Sequence, residues 1–186
     1  MIEKLLSLYG VDVYVTHFLP EESESGQIAG QKRAVGRLVA EVFGLDAVLS
    51  HRADGSPVVE GLNREISVSH CAGLAALAVG GRERIGVDIE LPRATLRRVV
   101  RKFLSDDEMS EWTSDGDLLR AWTIKEALYK AAGVAGVDFA NEVVLPSKAD
   151  CAGRGEVVVP GKKRACYEVC TTLYEGACLT LAVPAT

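Results

Sequence analysis

The sequence predicts a mixed α+β (α/β) fold made of two similar halves. Two segments, residues 31–43 and 116–132, carry the apolar spacing of helices that pack on one face. Between and after them, short apolar or alternating runs end in turns that contain glycine or proline, as β-strands do. No low-complexity linker or charge block separates the halves, so we expect residues 1–84 and 85–186 to be tightly fused.

The elements of the first half follow from alternation, helical spacing and turn residues. A glycine at the end of a helical pattern marks a C-cap, and a cluster of turn residues separates strands. The predicted elements are, in order, a strand at 11–15, a helix at 31–43 ended by Gly44, a turn at 54–57, and strands at 65–70 and 74–79. Gly80 and Gly81 then turn the chain toward the second half.

The second half combines three helices with further strands. It begins with a strand at 85–91, which Pro92 limits. Ser105 and Glu108 have the spacing of a capping box, and Gly133 marks a helix end. The predicted elements are a basic helix at 96–103, a short helix from 105 to 112, a long helix at 116–132 capped by Asp115, and strands at 143–145, 156–159, 165–171 and 177–183.

Composition narrows the class of protein. A chain of 186 residues with 48% hydrophobic content can bury a sizeable core. A net charge of −5 does not favour nucleic-acid binding. The sequence contains no apolar run of the roughly eighteen residues that a membrane helix needs, and no basic, then apolar leader, so we expect a cytoplasmic protein with no membrane partner.

The cysteines do not suggest a metal or redox centre. They are odd in number, irregularly spaced and form no CxxC pair, which is why we expect reduced, mostly buried thiols. The five are Cys71, Cys151, Cys166, Cys170 and Cys178.

Paired carboxylates are the first chemical signal. Side chains alternate along a strand, so Asp88 and Glu90 leave the strand at 85–91 on one face. Two such carboxylates suit Mg²⁺, which prefers oxygen ligands, although a solvated edge strand would have the same pattern. Glu126 on the long helix is a candidate third ligand, and an ordinary surface ion pair with Lys130 is the alternative.

The two segments that carry these acids resemble a known family. Residues 86–90, GVDIE, and residues 122–133, WTIKEALYKAAG, resemble the signature motifs of the 4'-phosphopantetheinyl transferase superfamily. Residues 55–57 and 67–70 resemble upstream elements of its longer, single-chain branch, typified by the surfactin-synthetase activator. The resemblance implies a pseudo-dimer of two α/β halves that acts as a monomer, with the coenzyme A nucleotide on the first half and the metal and catalytic motifs on the second.

The resemblance also implies roles for individual residues. Asp88, Glu90 and Glu126 would hold Mg²⁺, and the catalytic residues would be Glu126, Asp88 and Lys130. The residues implied in binding coenzyme A are Lys32, Arg33, Arg37, Gly55, Ser56, Pro57, Ser69, His70, Lys125 and Lys130. Two of these implications have plainer alternatives: a solvated cationic face for the helix that carries Lys32, and a core position for His70. Ser56 departs from the basic residue common in the family, so the cation on the adenosine side is left open.

The expected reaction transfers 4'-phosphopantetheine from coenzyme A to a serine of an apo acyl or peptidyl carrier protein of fatty acid, polyketide or nonribosomal peptide synthesis. Glu126 would accept the serine proton, directly or through water. A basic segment would dock the acidic carrier; its cations are Arg93, Arg97, Arg98, Arg101 and Lys102. The alternatives are another Mg²⁺-dependent nucleotide phosphotransferase, or a module that binds coenzyme A or a carrier protein without catalysis.

Overall fold

The computed structural model describes residues 2–24, 26–148, 152–159, 161 and 163–185. Within these ranges the strands are β1 Ile2–Leu8, β2 Val11–His17, β3 Leu49–His51, β4 Pro57–Val59, β5 Ile66–Cys71, β6 Leu74–Val79, β7 Gly86–Glu90, β8 Val143–Val144, β9 Ala152–Val157, β10 Ala165–Tyr174 and β11 Ala177–Pro184. The helices are α1 Pro20–Glu24, α2 Gln27–Phe43, α3 Thr95–Val99, α4 Asp106–Glu111 and α5 Asp115–Ala132, with a 3-10 turn at Val100–Lys102.

Two antiparallel sheets organise the described chain. The first has the strand order β1-β2-β6-β5, and the second has the order β7-β11-β10-β9-β8, while β3 and β4 form a separate hairpin. The helix α2 packs on the first sheet, and α5 packs on the second. The mixed α+β prediction is confirmed, and the domain boundary between residues 84 and 85 stays a prediction.

The core lies in three layers between these elements. Alternate residues of β6 face opposite ways: Ala76 and Ala78 meet the second sheet, and Leu77 meets α2. In the same way Leu179 of β11 faces the first sheet, and Cys178 faces the layer under α5. The order across the molecule is therefore helix, sheet, sheet, helix.

The predicted glycine ends of α2 and α5 are confirmed, but the predicted N-cap of α5 is wrong. Gly44 ends α2, and Gly133 ends α5 in the left-handed conformation with φ 59°. The N-cap of α5 is Ser114 rather than the predicted Asp115, because the Ser114 hydroxyl accepts a hydrogen bond from the Asp117 N–H at 3.1 Å. The Asp117 carboxylate completes a capping box by accepting from the Ser114 N–H at 2.9 Å.

Several elements differ from their predicted extent. The strands β1, β3 and β4 and the helix α1 were not predicted, because they are short or partly exposed and lack a clean apolar period. The basic segment forms the short helix α3 and a 3-10 turn rather than one helix over 96–103, since adjacent β-branched Val99 and Val100 disfavour a continuous helix. The helix α2 begins four residues before the predicted start, and β9 lies at 152–157 rather than 156–159. Cys151 lies outside the described residues, and no disulfide joins any two of the four described cysteines.

Close contact between α5 and β7 depends on Gly86. A Cβ atom at this position would collide with the backbone carbonyl of Ala127 and would approach the backbone nitrogen of Ala131 within 2.8 Å. Both obstacles are backbone atoms, which cannot rotate away. The absence of a side chain at Gly86 therefore sets how near the helix lies to the strand that carries Asp88.

We expect Gly86→Ala to lower the free energy of unfolding by about 3 kcal/mol, because α5 must shift to accommodate the methyl group. Chemical denaturation measures the change. Gly116→Ala is the matched control: this glycine lies in the exposed first turn of α5 with only one atom near the added Cβ, at 3.9 Å. It should be neutral or stabilise by up to about 1 kcal/mol. An equal loss in both variants would contradict the close-packing argument.

Candidate active site

Asp88 is a buried carboxylate where β7 adjoins β5 and α5, with 6% of its surface exposed. It belongs to β7, where Val87 and Ile89 enter the core as the alternation predicts. Its Oδ1 atom accepts a hydrogen bond from the Ser69 hydroxyl at 2.7 Å and pairs with the Lys130 ammonium at 2.8 Å. A first-half strand and a second-half helix thus both hold this one oxygen.

Glu90 lies two residues further along the same strand. Its carboxylate pairs with the Arg93 guanidinium at 3.1 Å, and that guanidinium also stacks over the Trp122 ring at 5.2 Å. Burial raises the pKa of Glu90, while the charge of Arg93 opposes the rise. Arg93, which the sequence placed in a docking surface, is therefore part of this acidic site.

Glu126 is the third carboxylate, and α5 brings it to the other two. Burial is the main cause of its raised pKa, and the neighbouring charge of Asp88 raises the pKa further. Within the described residues the Glu126 carboxylate makes no hydrogen bond and no ion pair. A half-buried carboxylate without a partner can accept a proton or bind a cation.

The chemistry of the three carboxylates suits a hard divalent cation, but their present positions do not form a metal site. Among the described residues, no group of three or more histidine, cysteine, aspartate or glutamate side chains is placed so that it could hold a metal ion. Lys130 and Arg93 instead neutralise Asp88 and Glu90. Three carboxylates within one electrostatic cluster are nevertheless the oxygen-only donor set that Mg²⁺ prefers.

Lys130 connects the two halves beside these acids. Its Nζ atom donates to the backbone carbonyl of Val87 at 2.9 Å and, more weakly, to that of Val68 at 3.4 Å, as well as to Asp88. The side chain is 27% exposed and lines a cavity of about 320 Å³. The ammonium charge therefore faces both the buried carboxylate and the cavity.

That cavity lies between the turn before β4, the strand β5 and the end of α5. Gly55, Ser56 and Pro57, which the resemblance implies in binding coenzyme A, line this cavity. Arg84 also lines it, and its Nη2 atom pairs with Asp54 of the turn at 2.7 Å. A guanidinium thus stands beside the turn in which Ser56 provides no cation.

A second cavity of about 590 Å³ adjoins the first. Lys32 and His70 line it together, and His51 and Val68 line both cavities. The alternative of a core position for His70 is wrong, because its side chain is exposed. Partial burial and the charge of Lys130 lower the pKa of His70. Arg33 is exposed but is not among the described residues that line this cavity.

The model of the 4'-phosphopantetheinyl transferase superfamily matches residues 84–181, more than half of the chain. The chain belongs to this superfamily. The matched range contains Asp88, Glu90, Glu126 and Lys130, whereas the cavity residues of the first half lie outside it. No curated protein sequence matches the chain significantly. None of the described helices is long and apolar enough to cross a membrane.

Lys125, one residue before Glu126, lies in the core and is not among the described residues that line either cavity. It is fully buried, and its ammonium pairs with Glu108 at 2.6 Å and donates to the carbonyls of Phe139 and Val143. All three of its hydrogens are used, so the predicted contact with coenzyme A is wrong in this structure. Consecutive residues on a helix point about 100° apart, which separates Lys125 from Glu126.

Two other predicted coenzyme A ligands have structural partners. Arg37 forms a two-point ion pair with Glu22 of α1 and donates to the His17 carbonyl, so its guanidinium is not directed at the cavity. Ser69 is 7% exposed, and its hydroxyl is used by Asp88 and by the Ile89 N–H. Both side chains therefore hold the protein together rather than contact a ligand.

Sequence reasoning missed His51 and Arg84 and gave Arg93 a different role. Arg93 follows the GVDIE segment at i+3 from Glu90, a spacing that could have suggested an ion pair. Arg84 comes two residues before β7, in a turn segment with neither a helical nor a strand period that would single out a cation. His51 comes into the site only through the packing of the β3–β4 hairpin beside the cavities.

We expect Glu126→Gln to stabilise the metal-free protein at pH 7–8. The folded state raises the pKa of Glu126, so ionising this carboxyl costs stability above its unfolded pKa. Glutamine removes that cost, with a gain in Tm of about 2–4 °C for each kcal/mol recovered. Below about pH 4, where glutamate is protonated in both states, the difference should vanish.

Calorimetry in EDTA at both pH values measures this difference. Glu60→Gln, which changes an exposed glutamate in the same way, should leave Tm nearly constant at each pH. A lower Tm for Glu126→Gln at pH 7–8 would mean that its carboxylate has a stabilising partner.

Lys125→Met should lower the free energy of unfolding by about 3 kcal/mol, because it leaves the partly buried Glu108 without its cation and two backbone carbonyls without their donor. The Kd for coenzyme A, measured by calorimetry on the folded fraction, should stay within about twofold. Lys130→Met is the matched comparison on the same helix and should weaken coenzyme A binding by about tenfold or more. Weaker binding in Lys125→Met alone would restore its role as a ligand.

Proposed function

We propose that this protein transfers the 4'-phosphopantetheine group of coenzyme A to a serine of an apo acyl or peptidyl carrier protein, with adenosine 3',5'-bisphosphate as the second product and Mg²⁺ as the cofactor. Membership of the superfamily supports a transferase with coenzyme A and a carrier protein as partners. The single observation that carries the proposal is the electrostatic cluster of Asp88, Glu90, Glu126 and Lys130, whose ammonium also lines a cavity of about 320 Å³.

The single-chain, pseudo-dimeric branch is the part of the superfamily that we propose for this protein. One chain provides two antiparallel sheets, and each sheet carries one long helix. The carboxylates belong to the second sheet and its helix, while the cavity residues Lys32 and His70 belong to the first half. A monomer therefore contains both sides of the site.

Coenzyme A would lie along the two adjoining cavities. Lys32 and His70 would contact the 3'-phosphate, and the turn at 55–57 would contact the adenosine. Arg84 would supply the cation that Ser56 lacks, because it is tethered to the same turn through Asp54. Lys130, which lines the first cavity and pairs with Asp88, would offset the charge of the pyrophosphate.

Chemistry at the site requires a base and a compensating charge. The serine oxygen would form a bond to the β-phosphorus, and the bridging bond to the α-phosphate would break. Glu126 would accept the serine proton, directly or through a water molecule, since its carboxylate has no partner among the described residues and burial raises its pKa, which favours proton uptake. When bound by Asp88, Glu90 and Glu126, Mg²⁺ would add positive charge at the phosphate oxygens.

Intact mass spectrometry tests the reaction. The protein, coenzyme A, Mg²⁺ and several apo-carrier proteins should yield a carrier heavier by about 340 Da, the mass of the group transferred in this phosphoryl-transfer chemistry. EDTA, Asp88→Ala and Glu126→Ala should each abolish the increment. Gly116→Ala, distant from the carboxylates in the first turn of α5, is the control that should retain it.

The rival function is a module that binds coenzyme A without catalysis. The ion pairs Asp88–Lys130 and Glu90–Arg93 favour it, because carboxylates that are already neutralised attract a metal less strongly. Confirmed binding of coenzyme A with no mass increment on any carrier would support that rival and reject the transferase.

Docking of an acidic carrier would use those cations of the basic segment that no described residue neutralises. Arg97 pairs with Asp115, and Arg101 lies 3.7 Å from Asp106. Arg98 and Lys102 are exposed and make no ion pair with any described residue. Arg98 lies in α3 and Lys102 in the 3-10 turn that follows, on the segment that leads away from β7. They would meet a carrier that approaches Glu90.

Arg98→Glu and Lys102→Glu should each raise the KM for the carrier by about tenfold at low salt, and leave the Kd for coenzyme A unchanged. Added salt should shrink the difference from wild type, because it screens exposed charges. Lys163→Glu reverses one exposed charge near the opposite end of the second sheet and serves as the control. The same KM in all four proteins would exclude this docking surface.

A further inference from the structure

The two sheets meet along β5 and β7 without a backbone ladder between them. Side chains replace the ladder: the Val87 N–H donates to the Ser67 hydroxyl at 3.0 Å, and the Ile89 N–H donates to the Ser69 hydroxyl at 3.3 Å. Ser67 and Ser69 are 4% and 7% exposed. Two serines spaced by two on one strand thus satisfy two amides at the edge of β7 that would otherwise be buried without a partner.

The two serines differ in what they do with their own hydrogen. Ser69 donates to Asp88 Oδ1 at 2.7 Å, whereas no hydrogen bond of the described residues joins Ser67 to a carboxylate. A hydroxyl has one hydrogen to donate, and Ser69 already accepts from the Ile89 N–H. Its hydrogen is therefore directed at Asp88.

The hydrogen bond from Ser69 also determines which oxygen of the Asp88 carboxylate is without a partner among the described residues. Ser69 and Lys130 both engage Oδ1, and Oδ2 makes no hydrogen bond to any described residue. A carboxylate that is held at one oxygen by two donors cannot rotate freely about its Cβ–Cγ bond. The oxygen that stays available is thus fixed in direction.

We propose that Ser69 is a positioning residue that orients Asp88, so that Oδ1 stays with Lys130 and Oδ2 faces the reaction site. Through this bond the first half of the chain sets the geometry of a carboxylate in the second half. The catalytic consequence rests on the proposed transferase function, but the coupling between Ser69 and Asp88 does not.

A double-mutant cycle on stability tests the coupling without any assay of activity. Ser69→Ala should raise the unfolding equilibrium constant by about 10- to 100-fold in the wild-type background, because a charged, buried hydrogen bond is lost. In the Asp88→Ala background the same change should have an effect at least about fivefold smaller. Ser67→Ala is the matched control, and its effect should be equal in both backgrounds. Equal effects of Ser69→Ala in the two backgrounds would overturn the proposal.

Kinetics then separate positioning from mere stability. Ser69→Ala should lower kcat by about tenfold or more with little change in the KM for coenzyme A, and Ser69→Thr, which keeps the hydroxyl, should recover most of it. Ser67→Ala should keep kcat near wild type in the folded protein. Equal losses of kcat in Ser67→Ala and Ser69→Ala would also overturn the proposal. A wild-type protein that is inactive would reject the transferase, while the stability cycle would still decide the coupling.

Discussion

Compensation of one buried charge, the carboxylate of Asp88, is the constraint on which the rest of the site depends. An isolated carboxylate at this depth would be strongly disfavoured, so it needs a cation and a hydrogen-bond donor. Lys130 and Ser69 provide them from α5 and β5, while β7 provides the carboxylate. Of the same three elements, β7 and α5 carry the three carboxylates and Lys130, and β5 and α5 also line the first cavity. The contacts that compensate this one charge thus join the first half of the chain to the second.

The helix α5 serves two purposes because its faces differ. Lys125 lies within the core, where Glu108 joins it to α4, and Glu108 also accepts from the N–H of Leu145 at 3.0 Å. Five residues on, Lys130 points to the junction of the sheets. The two lysines have the same chemistry and opposite roles, one structural and one at the site. Burial lowers the pKa of Lys125, which is the expected effect on an ammonium removed from water.

A similar division exists on α2. Lys32 faces the larger cavity, and Arg37, also five residues on, turns to Glu22 of α1. The helix α2 therefore presents Lys32 to the cavity, while Glu22 of the short helix α1 neutralises Arg37. This division explains how a protein with a net charge of −5 can keep a locally cationic surface for a polyanion.

The sequence by itself determined the parts that depend on local periodicity. It predicted the mixed α+β class, the helix α5 and its glycine end, the strand of Asp88 and Glu90, and, through two short motifs, the superfamily. Only the tertiary structure decided which like residues share a role. Lys125 and Lys130, Lys32 and Arg37, and Ser67 and Ser69 are pairs whose members differ by what packs against them. Contacts between residues far apart in the chain, such as Ser69 with Asp88, leave no period in the sequence, because they arise from two sheets that meet at their edges.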